Sequence, residues 1–212
     1  MPEIRFVPQG HKIIGLFHDG NGTSPHNFIA HVARTCYKSP ARGDAADRSL
    51  VGSLVEHEHT AMLEHSFLSV EIVTDRAIAN EIVRHRHFSF AQESTRYVNY
   101  GKRGFEFVMP DPITPIHRML VEEACDHAAN VYDSLVDSGM PPQLARSVLP
   151  LCTATTIVVS GNFTEWRHFF RLRTAREAHP MMRSLATAIL DDVRQYVPVV
   201  FDDIATEVGG DE

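Results

Sequence analysis

The chain has 212 residues, 43% of them hydrophobic, enough for one full core, so residues 1–212 read as a single globular domain. Acidic residues outnumber Lys and Arg by 27 to 20, which disfavours nucleic-acid binding by phosphate neutralisation and makes any basic cluster a local anion site. Cys36, Cys125 and Cys152 are odd in number and far apart in the chain, so they suggest neither a disulfide framework nor a zinc knuckle. No apolar run approaches the ~20 residues of a membrane span and no signal-peptide pattern opens the chain, so the expected location is cytoplasmic.

In chain order, His11 to His18 reads as a short strand and DGNGTSP after it as a loop. His26 to Cys36 and Asp47 to His57 each carry apolar residues at helical spacing. Ser66 to Val73 alternates like a half-buried strand, and Asp75 is placed to cap a helix holding Ile78, Ile82 and Val83. Phe105 to Met109 is a strand candidate ending at Pro110, and Ile116 to Val136 is a long helix stopped by SGMPP. A short helix over Leu144 to Leu149 and a β-branched strand over Thr153 to Ser160 come next. Helices over Thr164 to Arg173 and Pro180 to Val197 complete a mixed α/β (α+β) chain. Neither GxGxxG nor a P-loop is present, so those two phosphate-binding loops are absent.

The stretch RHRHFSFAQESTRY, Arg84 to Tyr97, is the densest chemical cluster. On a regular helix Arg84, His85 and Arg86 would point about 100° apart, so they would divide their contacts between ligands or subunits. Glu81 offers Arg84 or His85 a plain helix-surface ion pair instead. Ser89, Gln92, Ser94 and Arg96 then add short donors and another guanidinium, a set suited to a phosphate and a planar polar ring. Further on, Asn162 and Glu165 have capping-box spacing. Trp166, Phe169 and Phe170 form an apolar stripe leading to Arg173, with Arg167 and Arg171 expected on the surface. A cation ending such a stripe needs an accepting partner, either an internal carboxylate or a ligand that becomes anionic during reaction.

Over its fourteen positions, the Arg-His-Arg triplet followed after seven residues by Ser94-Thr95-Arg96-Tyr97 resembles the signature of the flavin-dependent thymidylate synthases. HEHTAMLEHS (from His57), ARSVLPL (from Ala145), GNFTEWRHFFRLR and AHPMMRSLA are similar to other blocks of that family, so the resemblance runs from about His26 to Ala188. It implies a central, mostly antiparallel sheet flanked by helices and a homotetramer with active sites shared between subunits. It also implies methylation of dUMP to dTMP, with FAD as cofactor, methylenetetrahydrofolate as carbon donor and NADPH as reductant, and tetrahydrofolate as product.

By the same resemblance Arg173 would be catalytic, stabilising charge on the uracil ring. FAD would be held by His59, Ala61, Arg84, His85, Arg86, Gln92, Asn162 and His168, with Asn162 and His168 supplied by another subunit. Glu81, Arg84, Gln92, Glu93, Ser94, Thr95, Arg96, Arg146 and Arg173 would line dUMP. This chain departs from other members at Gln92 (Glu elsewhere), His168 (Asn) and Glu81 (Gln in some). Cys36 stands where some members carry a serine near the site, and reads as a small buried residue on an amphipathic helix.

Two other readings compete. His57, His59, Glu64 and His65 are of the types that ligate zinc in a metal-dependent hydrolase, although HExxH is absent and the segment would have to fold back. A nucleotide-binding regulatory protein would explain the anion cluster but not Arg173 at the end of its apolar stripe.

Overall fold

A computed structural model describes residues 2–16 and 23–206 of the chain. Short strands β1 (Ile4–Phe6) and β2 (Gly10–Leu16) precede helices α1 (Pro25–Thr35) and α2 (Asp44–Glu56). A 3₁₀ turn over Thr60–His65 leads into β3 (Phe67–Asp75), α3 (Arg76–Ile82) and β4 (Ser89–Gln92). Then come α4 (Tyr100–Arg103), β5 (Phe105–Phe107), the long α5 (Pro115–Asp137) and α6 (Pro142–Ala145). β6 (Ala154–Asn162), α7 (Phe163–Arg173), α8 (Pro180–Tyr196) and α9 (Pro198–Phe201) close the fold.

Local chemistry fixes most of these boundaries. The Asp75 carboxylate accepts from Ile78 N at 2.6 Å and starts α3, as its spacing predicted. Asn162 caps α7 through Glu165 N at 2.9 Å, and Thr114 caps α5 with Pro115 at its first position. Gly139, at φ 95°, makes the left-handed turn after α5 that a side chain would resist. β3 alternates as expected, with Leu68, Val70 and Ile72 buried between more accessible neighbours. The expected strand beyond Phe107 is not formed, because Val108 N already bonds Cys152 O at 2.8 Å outside the ladder. Of the early strand and loop, Phe17, His18 and residues 19–22 lie outside the described residues.

A four-stranded sheet has the order β2-β3-β6-β4, and a two-stranded sheet pairs β1 with β5 in parallel. Along β3 and β6, Arg76 N donates to Thr153 O at 3.1 Å and Phe163 N to Ser66 O at 2.9 Å, an antiparallel pattern.

The chain forms two compact units, each assembled from separate segments. The first takes the described residues up to His11, Glu71–Arg84 and Phe90–Val158. Its core joins Phe105 and Phe107 of β5 to Cys125, Ala129 and Tyr132 of α5, with Tyr100 and Ala145. Cys125 and Cys152, distant in sequence, meet there with their Sγ atoms 3.5 Å apart as free thiols. The second unit takes the described residues of Lys12–Val70, His85–Ser89 and those from Val159 onward. It packs α7 against α8 and the 3₁₀ turn, and α1 against α2, around Ile29, Leu63, Phe163, Trp166 and Phe170.

Candidate functional site

In the first unit a cavity of about 570 Å³ is lined by residues from α3, the 94–96 turn and the 140–151 segment. Its charged lining consists of Arg76 and Arg146, with Asn80, Thr95, Gln143 and Ser147 as neutral polar groups and no carboxylate. Arg146 donates to the buried Thr95 hydroxyl at 2.8 Å, and Arg96 Nε to Gln143 Oε1 at 3.1 Å. Ser94 Oγ accepts from Arg96 N at 3.3 Å, folding the signature's second half into a tight turn. Two guanidiniums beside hydroxyl and amide groups form a surface that accepts an anion and hydrogen-bonds a polar ring.

The neighbouring predicted residues are held from behind. Gln92 donates to Thr155 Oγ1 at 3.3 Å, which ties one of its two amide hydrogens to the scaffold. The Tyr100 hydroxyl donates to Glu93 at 3.2 Å, and burial together with the Glu93 charge pushes the Tyr100 phenol well above its ordinary value. Glu81 occupies the last turn of α3, half-buried, while its neighbour Asn80 lines the cavity. Arg84 lies beyond the helix end and is exposed.

The second unit contains the other cluster, built on His85, Arg86 and Arg173. Arg84, His85 and Arg86 are not helical, because α3 ends at Ile82 and the triplet follows in a turn. That turn exposes both arginines and leaves the histidine half-buried. Arg173 Nε donates to His85 Nε2 at 2.9 Å, so the end of the apolar stripe and the centre of the triplet meet within one chain. The His85 ring stands edge-on to Phe169 at 5.0 Å, 6.1 Å from Phe88 and 6.2 Å from His168. Burial foremost, then the charges of Arg173 and His168, pull the His85 imidazole down from 6.5 to about 4. It is therefore neutral near pH 7, with Nε2 as acceptor. His168 is exposed on α7, and Asn162 uses its carbonyl oxygen as the cap of that helix.

A second cavity of this unit, about 460 Å³, brings His59 and Ala61 together with Cys36, Tyr37, Glu58 and Glu64. Cys36 is exposed here, against the expectation of a buried residue, because α1 ends at Thr35 and Cys36 caps it outside the packed face. Arg167 is also reversed. Expected on the surface, it is 2% exposed and bonds Asp203 and the Val200 carbonyl, a partner over thirty positions away that no helical pattern reveals. Arg171 is exposed, as expected.

The proposed metal set does not assemble. His57, His59, Glu64 and His65 are all exposed, and His57 Nδ1 donates to Ser53 O at 2.8 Å as a helix-end group. Among the described residues no three His, Cys, Asp or Glu side chains converge on a metal-sized point. No helix among them is long and apolar enough to cross a membrane.

Sequence reasoning missed Arg76, Asn80 and Gln143. Gln143 had a usable signal, since it lies two residues before the ARSVLPL block, whereas Arg76 and Asn80 look like ordinary helix-surface residues near the signature.

Comparison with known proteins shows the family. Residues 21–199 match the family model described as thymidylate synthase complementing protein. A flavin-dependent thymidylate synthase of Corynebacterium efficiens is 35% identical over 205 residues, covering 87% of this chain and 81% of the relative. The enzyme of that name from Geobacter sulfurreducens is 33% identical over 189 residues, covering 84% and 82%. That of Mycobacteroides abscessus is 33% identical over 208 residues, covering 87% and 82%.

Proposed function

We propose, from the premise that this chain belongs to the thymidylate synthase complementing protein family of flavin-dependent thymidylate synthases, that it makes dTMP from dUMP. Methylenetetrahydrofolate supplies the carbon and NADPH the reducing equivalents, and tetrahydrofolate and NADP⁺ leave. The observation that carries this reading is the acid-free cavity in which the signature residue Thr95 meets Arg146. Its cationic lining suits the phosphate of a nucleotide, and the amide and hydroxyl groups beside it suit a uracil edge.

The residues present also fit FAD. A pyrophosphate asks for cations with slack, which the exposed Arg84 and Arg86 provide, and the cavity at His59 and Ala61 offers apolar and polar walls. His85, Gln92, Asn162 and His168 complete the set that would hold it. When bound, FAD supplies the hydride that passes between NADPH and the reacting carbon.

This chain's own residues do the rest. Ser94, Thr95, Arg96 and Arg146 bind and orient the nucleotide, with Glu81 and Glu93 beside them. Reduction at uracil C6 pushes charge onto the ring carbonyls, and the fixed guanidinium of Arg173 stabilises that charge by several kcal/mol in a closed site. C5 then bonds the methylene carbon of the folate, the C–N bond to tetrahydrofolate breaks as the C5 hydrogen leaves as a proton, and the hydrogen delivered to C6 ends in the methyl group. The functional unit is a cytoplasmic homotetramer whose subunits complete one another's sites. Ile116, Met119 and Leu120, exposed at i, i+3 and i+4 on α5, form an apolar strip of the kind a subunit contact covers.

The test is tritium release from [5-³H]dUMP by purified protein with NADPH and methylenetetrahydrofolate, with and without FAD. Release requiring folate and FAD, and lost in Arg173→Ala, is the expected result. A folded, FAD-saturated protein that releases none would sink the proposal.

A further inference from the structure

We propose that His85 is the positioning residue for Arg173, an acceptor that fixes the guanidinium before any ligand arrives, rather than only a contact for the flavin. Its catalytic consequence rests on the thymidylate synthase reading, but the geometry does not.

Of the Arg-His-Arg triplet, the histidine alone is turned inward, and its Nε2 lies 2.9 Å from Arg173 Nε. A guanidinium is always protonated and only donates, so this contact requires a lone pair on Nε2 and places the imidazole proton on Nδ1. The ring cannot easily swing away. Phe169 meets it edge-on at 5.0 Å and Phe88 flanks it at 6.1 Å. Phe88 packs at 4.7 Å on Trp166, which is wholly buried and donates from Nε1 to Leu68 O at 3.0 Å. Gly161 clears the space for Phe88, since an added Cβ would overlap its ring. The acceptor is therefore mounted on a rigid aromatic wall anchored in β3.

The surroundings keep it an acceptor. Burial foremost, then the charges of Arg173 and His168 on α7, disfavour a second proton on the ring. The His85 contact holds Arg173 at Nε and so gives the fork one fixed point on the aromatic wall. Misplacing such a group by an ångström costs on the order of 100-fold in rate.

The test has two arms on the FAD-loaded protein. Long-range ¹H–¹⁵N NMR of the wild type should show His85 as the Nδ1–H tautomer, with coupling across the hydrogen bond from Arg173 Nε to Nε2. An Nε2–H tautomer would overturn the proposal whatever the activity. In the second arm, His85→Phe and His85→Gln are assayed at saturating FAD with flavin loading read by absorbance. We expect kcat to fall about 10–100-fold in the Phe variant and to recover to within about threefold in Gln, whose oxygen replaces the acceptor. A Phe variant within about twofold of wild type at full loading would also overturn it, leaving His85 as a flavin contact. If the wild type itself releases no tritium, the functional reading fails while the NMR arm still decides the positioning role.

Discussion

Arg167, in the middle of α7, donates through its two terminal nitrogens to both carboxylate oxygens of Asp203, each at 2.6 Å. It also reaches the Val200 carbonyl, so the helix ending at Arg173 is fastened to the segment after α9. Burial alone would raise the Asp203 carboxyl, but its hydrogen bonds and charge interaction with Arg167, helped by Arg171, outweigh that and hold it below its ordinary value. Removing one partner of a fully buried pair costs about 3–5 kcal/mol, and Asp203 is partly solvated, so Asp203→Asn should cost about 2–3 kcal/mol. Arg171→Ala, which loses only an exposed 3.5 Å contact, should cost under about 1 kcal/mol. Urea unfolding separates the two. Equal midpoints for Asp203→Asn and wild type would show that the pair does not anchor α7.

Gly161 of β6 faces the Phe88 ring so closely that a Cβ would occupy the ring's own space. Gly161→Ala must push Phe88 away from Trp166 and disturb the wall behind His85. Overpacking of this kind costs about 1–3 kcal/mol, and the wall also positions Arg173, so kcat should fall along with the thermal midpoint. An alanine variant with unchanged kcat would mean that the aromatic wall does not transmit to Arg173.

Much of the fold was legible because its signals are local. Asp75 and Asn162 cap their helices where the spacing predicted, and β3 alternates along its length. Strands β1 and β4 were not foreseen, since three or four residues carry too little periodicity to stand out. The candidate site divides the same way. The resemblance named Thr95 and Arg96 through the signature and Arg146 through ARSVLPL, but nothing local tells that Arg76 and Asn80 face a cavity while Arg84 is turned to solvent. Arg167 was misread because its carboxylate lies beyond the next helix, and the approach of Cys125 to Cys152 depends on how α5 packs, which no spacing encodes.

The suppressed basicity of His85 predicts a pH dependence of stability. In the unfolded chain its value is about 6.5, and in the folded protein about 4. Above about 6.5 the ring is neutral in both states and contributes no slope. As pH falls from there toward 4, the unfolded chain takes up a proton that the folded chain refuses, so stability drops. Because the ring is half-buried, the loss should be about 1–2 kcal/mol, less than full linkage would give. His85→Gln removes this component, so its unfolding free energy should change less between pH 7.5 and 4.5 than that of wild type. Parallel profiles would show that the imidazole is not shielded from protonation.

Thiol chemistry tests the flavin assignment independently of turnover. Cys36 is exposed and lines the cavity with His59 and Ala61, whereas Cys152 is half-buried and Cys125 is 1% exposed. Its hydrogen bond to Cys152, and then burial, push the Cys125 thiol far above its ordinary value, while the same bond lowers Cys152. Reactivity follows thiolate character and access, so alkylation of the protein without FAD should be fastest at Cys36, slower at Cys152 and slowest at Cys125. If FAD occupies the cavity at His59, saturating FAD should slow labelling of Cys36 at least about tenfold and leave Cys152 unchanged. Peptide mass spectrometry of timed iodoacetamide reactions gives the three rates separately. A Cys36 rate indifferent to FAD would remove His59 and Ala61 from the flavin set. Slowing of Cys152 by FAD instead would move the flavin toward the arginine-lined cavity beside Leu151.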